Sequence, residues 1–85
     1  MQATLYTSPT CTHCGTVRDI LERNGIAYEE RDIAASVDVM QELVTKTHQT
    51  SVPVLDVGGM TVVGADRRAI ESLLETKGLL AVSQP

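Results

Sequence analysis

Tryptophan and phenylalanine are absent from this 85-residue chain, and Tyr6 and Tyr28 are its only phenolic rings. A core must therefore be assembled from Val, Ile, Leu and Ala, which the 42% apolar composition supplies. A platform for stacking nucleobases is excluded, because such surfaces present several aromatic rings. Positive charge is scarce as well: seven Lys and Arg against eleven Asp and Glu leave a formal net charge of -4. That sign argues against nucleic acid or an anionic membrane as a partner. No apolar run approaches the roughly 20 residues of a membrane span, and the amino terminus lacks the basic-then-apolar order of a secretory signal. A cytoplasmic location is expected. Cysteine and histidine occur only twice each. With the histidines isolated in sequence, that set makes a poor four-ligand zinc site, and no metal is expected.

Both cysteines fall in one stretch, Cys11-Thr12-His13-Cys14, between a short strand pattern and a helical one. Thiols at i and i+3 on a helical turn can close a small disulfide. The positive end of a helix dipole stabilises a thiolate at the first of them. In a reducing compartment such a pair reads as catalytic, and its spacing favours reversible thiol-disulfide chemistry over inert buried thiols.

The rest of the chain reads as one small domain, residues 1–85, with a loose tail after about Leu80. Alternation from Ala3 to Thr7 predicts a strand that Ser8-Pro9-Thr10 ends. Val17, Ile20 and Leu21 recur at helical spacing up to Asn24-Gly25. Ala27 to Ile33 returns to strand character, but Glu29, Glu30, Arg31 and Asp32 suit only a charge-protected sheet edge. Ser36 is placed to cap a second helix with a stripe of Met40, Leu43 and Val44, ending near Thr47. His48 to Ser51 is a polar loop before Val52-Pro53. Val54, Leu55 and Val57 predict a buried strand, Gly58-Gly59 a tight turn, and Met60 to Val63 its return. Asp66 is placed to cap a third helix with Ile70, Leu73 and Leu74 inward, closed by Gly78. The order is βαβαββα. Crossover rules make it an α/β four-stranded mixed sheet with helices on both faces.

The run Leu5-Tyr6-Thr7-Ser8-Pro9-Thr10-Cys11-Thr12-His13-Cys14, followed by Ser51-Val52-Pro53, Gly58-Gly59 and Val63-Gly64-Ala65-Asp66, resembles glutaredoxins and the closely similar NrdH-redoxins. The resemblance covers nearly the whole chain. It implies the thioredoxin fold in its minimal form and a thiol-disulfide oxidoreductase that reduces protein disulfides or mixed disulfides. It also implies Cys11 as nucleophile, Cys14 as resolving thiol, and a cis Val52-Pro53 bond that frees the Val52 backbone to pair with substrate. Gln49, Ala65 and Asp66 occupy positions associated with glutathione. No bound cofactor is implied. A monomer reduced by glutathione or by thioredoxin reductase is expected.

Several positions depart from the glutaredoxin pattern. Ser8 stands where a Lys is common, and Thr50 follows Gln49 where a cation is frequent. Those cations bind the glycine carboxylate of glutathione, and losing a charge-assisted contact costs about 1.5–3 kcal/mol. The depleted set favours a reductant other than glutathione, as in NrdH-redoxins, although the NrdH carboxy-terminal motif is missing too. Thr12-His13 replaces the usual Pro-Tyr; the His resembles that of the DsbA active site, so Thr12 and His13 are expected to tune the thiolate. Lack of a proline after Cys11 also admits a rival of another class, an iron-sulfur module in which paired monomers share a cluster with glutathione.

Overall fold

The strand pattern nearest the amino terminus lies inside the sheet, because its side chains find apolar partners on both faces. In the computed structural model, which describes residues 3–77, the elements run β1 (Ala3–Thr7), α1 (Cys14–Arg23), β2 (Tyr28–Asp32), α2 (Val37–Thr47), β3 (Val54–Val57), β4 (Met60–Val63) and α3 (Arg67–Thr76). The four strands are ordered β2-β1-β3-β4. β1 pairs parallel with β2, Thr7 opposite Asp32, and antiparallel with β3, Tyr6 opposite Val54. β3 and β4 form the antiparallel hairpin. This is the four-stranded mixed sheet expected from the element order, and the thioredoxin fold that the resemblance implied. The Gly78 helix stop and the loose tail lie outside the described residues.

The core is aliphatic and two-sided. Ala3, Leu5, Leu55 and Val57 meet α1 and α3 through Val17, Ile20, Leu21, Ile70, Leu73 and Leu74. Tyr6 and Val54 meet α2 on the other face, with Ile33 and Leu43. Each fully buried aliphatic side chain contributes about 1.5–3 kcal/mol, so absence of large rings does not prevent closure. One expectation needs correction on α2: Val44 is exposed, and Val39 joins Met40 and Leu43 against the sheet. Successive helical residues are about 100° apart, so a stripe centred on Leu43 turns Val44 outward.

Local signals act where they were placed. Ser36 Oγ accepts from Asp38 N at 3.1 Å, and Asp66 Oδ1 accepts from Arg68 N at 3.1 Å and Ala69 N at 3.3 Å. Such caps are each worth about 1 kcal/mol. Gly58 and Gly59 turn the hairpin with φ of 58° and 92°, a region that glycine enters without a Cβ clash.

β2 is the polar edge. Its Glu30 receives both Arg18 Nε at 3.0 Å and Arg18 Nη2 at 2.8 Å, and Thr7 Oγ1 donates to it at 3.2 Å. The Arg18 hydrogen bonds hold the Glu30 carboxyl below the ordinary range; burial opposes this and the Arg18 charge and Thr7 reinforce it. The pair's contribution is thus present above the usual carboxylate range and is lost on acidification through the lowered value.

A half-buried charge pair sits on the α2 face. Asp56, in β3, is 7% exposed. Lys46, from the last turn of α2, donates to Asp56 Oδ2 at 2.5 Å and to Tyr6 Oη at 2.8 Å. The other Asp56 oxygen accepts from Gly59 N at 3.1 Å, joining the hairpin to the same group.

Candidate functional site

β1 ends at Thr7, and a tight turn, in which Cys11 N donates to Ser8 O at 3.1 Å, delivers the chain to α1. The helix begins at Cys14, with His13 in the N-cap position. Cys11 therefore precedes the helix and does not open it. It is bonded to Cys14, Cα atoms 5.6 Å apart, so its sulfur is tethered to the first helical residue, at the positive end of the helix dipole.

The two sulfurs differ in access. Cys14 is 2% exposed and packs inward, whereas Cys11 is half-buried between exposed neighbours. Thr12 and His13 are both exposed, and the His13 side chain makes no capping hydrogen bond to the helix.

The expected second element reaches the same end of the sheet. Val52-Pro53 is a cis peptide. Since Tyr6 faces Val54 across the antiparallel pair, Pro53 lies at the Thr7 end of β1, from which the cysteine turn departs. Pro53 O accepts from Gly64 N at 2.8 Å, which brings Gly64-Ala65-Asp66 alongside. Gly64 has φ of 96°, and this conformation lets the chain leave β4 and enter α3 at that point. Ala65 packs on the α1/α3 core, and Asp66 Oδ1 is occupied as the helix cap. Cys11, Cys14, Val52, Pro53, Ala65 and Asp66 thus gather at one sheet end.

Gln49 is turned differently. Its side-chain amide folds back into its own loop, a contact that the polar run His48 to Ser51 gave no reason to expect. Thr7 was likewise not singled out; it is 3% exposed and spends its hydroxyl on Glu30 directly before the cysteine turn. Among the described residues, no three His, Cys, Asp or Glu side chains converge as a metal site.

The geometry has counterparts among known proteins. The glutaredoxin family model matches residues 3–62. An uncharacterized glutaredoxin-like 8.6 kDa protein in the rubredoxin operon of Clostridium pasteurianum is 27% identical over 71 residues, covering 84% of this chain and 95% of that one. The global transcriptional regulator Spx of Listeria innocua is 45% identical over 47 residues, but this match spans only 52% of this chain and 36% of the regulator. The crystal structure of glutaredoxin from Archaeoglobus fulgidus superposes with a TM-score of 0.78 at 25% identity, covering 85% of this chain and 84% of that one. Because the family match takes in the disulfide, the cis-proline and the turn of the β3–β4 hairpin, the chain belongs to the glutaredoxin family.

Proposed function

We propose that Cys11 starts each turnover of a dithiol thiol-disulfide oxidoreductase and that Cys14 ends it. The activity class follows from family membership and the CxxC pair. The observation that supports the assignment of roles is the unequal exposure of the two sulfurs. Cys11, as thiolate, attacks one sulfur of a substrate disulfide; the other substrate sulfur leaves as thiolate, and a mixed disulfide remains on Cys11. Cys14 gives up its proton to solvent and attacks Cys11 Sγ. The substrate's remaining thiolate departs, leaving the Cys11–Cys14 bridge seen in the structure. Two electrons from a reductant reopen the bridge. Val52 and Pro53 orient the substrate backbone beside it.

The reductant we assign is a flavoprotein of the thioredoxin reductase type. Uncharged Ser8 and Thr50 occupy the positions of the expected glutathione-binding cations, and Asp66 already caps α3. Each missing charge-assisted contact weakens glutathione recognition by roughly tenfold to a hundredfold. Turnover of a disulfide substrate with NADPH and thioredoxin reductase should exceed turnover with glutathione and its reductase. The opposite ranking would overturn this assignment.

We assign His13 the role of favouring the Cys11 thiolate once the bridge opens. Its place in the turn between the two cysteines, with a side chain not committed to capping the helix, supports this reading. His13→Tyr should raise the Cys11 pKa by about one unit. The disulfide should become less oxidising in step, its reduction potential falling by roughly 30 mV. Thiolate absorbance and redox-buffer equilibration measure the two quantities. If neither moved, the helix terminus would be the source of activation.

A further inference from the structure

The loop that carries the cis-proline is held by a side chain that the family resemblance would assign to ligand binding. Gln49 Oε1 accepts from Ser51 N at 2.6 Å. Its Nε2 donates to Thr47 Oγ1 at 3.0 Å and to Ser51 O at 3.3 Å. Since a backbone N–H can only donate, the Ser51 contact fixes which end of the amide is oxygen. Both Nε2 hydrogens and one oxygen lone pair are therefore spent inside the loop.

The partners of Gln49 are themselves fixed. The Thr47 hydroxyl donates to Leu43 O at 2.8 Å in the last turn of α2. One residue earlier, Lys46 ties that turn to the sheet through Asp56 and Tyr6. His48 leaves the helix in the left-handed region, φ 57°, and its N–H donates to Val44 O at 2.7 Å. Beyond Ser51, the chain passes through Val52 to Pro53, whose carbonyl is held by Gly64 N. The loop is anchored at both ends, and the Gln49 amide joins its middle.

We infer that Gln49 is a positioning residue, which presets the Val52 backbone for an extended disulfide substrate and makes no contact with glutathione. The inference rests on the proposed role of Val52. A loop already ordered in its binding geometry loses less entropy when substrate pairs with it, so the benefit falls on every substrate that uses the backbone. A ligand contact would benefit only the ligand that it touches.

Two substrates separate these cases. KM and kcat are measured, with dithiothreitol as reductant, for a glutathione-peptide mixed disulfide and for a cystine peptide lacking glutathione. Gln49→Ala should raise KM about five- to tenfold for both substrates and leave kcat within about twofold. Thr47→Val should act in the same direction, and Thr47→Ser, which restores the hydroxyl, should return KM to the wild-type value. A KM increase confined to the glutathione-bearing substrate would overturn the inference, as would unchanged KM values in both variants. If wild-type protein turned over neither substrate, the mechanism proposed above would fall, and this inference with it.

Discussion

Cys11→Ser is expected to reduce turnover of every disulfide substrate to the background rate, while Cys14→Ser stops the cycle one step later, with substrate covalently held. The two outcomes differ because Cys11 is half-buried at the surface and Cys14 is only 2% exposed. A thiol that substrate cannot reach can resolve a neighbouring mixed disulfide but cannot form one. Intact-mass analysis of the Cys14 variant after exposure to a cystine peptide should show one adduct per chain, removed by dithiothreitol. In the reduced wild type, alkylation at pH 6 should modify Cys11 first, as expected for the more acidic and accessible thiol. Turnover by the Cys11 variant, or faster labelling of Cys14, would reverse the roles.

The second large effect concerns stability. Burial alone would push the Lys46 ammonium down, but hydrogen bonds to Asp56 and Tyr6 outweigh it and raise its pKa above the ordinary lysine value. A raised cation contributes stability at every pH below its unfolded value and loses it only as pH rises through the folded one. Lys46→Met should therefore destabilise to the same extent at pH 7 and pH 9. Removing one partner of a fully buried pair costs about 3–5 kcal/mol; the partial exposure of Lys46 brings the expectation to about 2–3 kcal/mol. For a domain of this size, this loss lowers the midpoint by roughly 10–20 °C. Adding Asp56→Leu should recover much of it, because an unpaired carboxylate in the core is what makes the single change costly. Thermal and urea denaturation of the single and double variants measure both effects. A single variant within about 0.5 kcal/mol of wild type would show that water already satisfies Asp56.

The cysteine pair and the Asp66 cap were legible because each acts over a few residues: a disulfide across one turn, a side chain returning to its own helix. The cis bond at Val52-Pro53 came only from the family resemblance, since the residues alone favour trans. The sheet edge at β2 was equally legible, since four charged residues in five cannot be buried on both faces. Asp56 was not. Within Val54-Leu55-Asp56-Val57 a lone carboxylate reads as a break in a buried run, and only Lys46, arriving from α2, shows why it stays inside. The same limit hid Gln49. Its amide could serve a ligand or its own loop, and composition does not choose between them. Val39 and Val44 are both apolar and lie about 140° apart on the helix, one on each flank of the stripe formed by Met40 and Leu43; which flank is buried depends on how α2 is rotated against the sheet.

The strand pairing also sets the order in which the molecule can be completed during synthesis. β1 meets β2 through contacts confined to the first part of the chain, but its other neighbour is β3, with Ala3 opposite Val57. Until the ribosome has released β3, one side of β1 presents unpaired backbone groups, and the thiols stand beside a sheet that is only half assembled. The disulfide itself spans three positions and needs none of the later chain to close. The redox state of the nascent protein can therefore be set before the cis-proline loop exists, and a reducing environment at the exit site would deliver the chain to its final fold with both thiols still free.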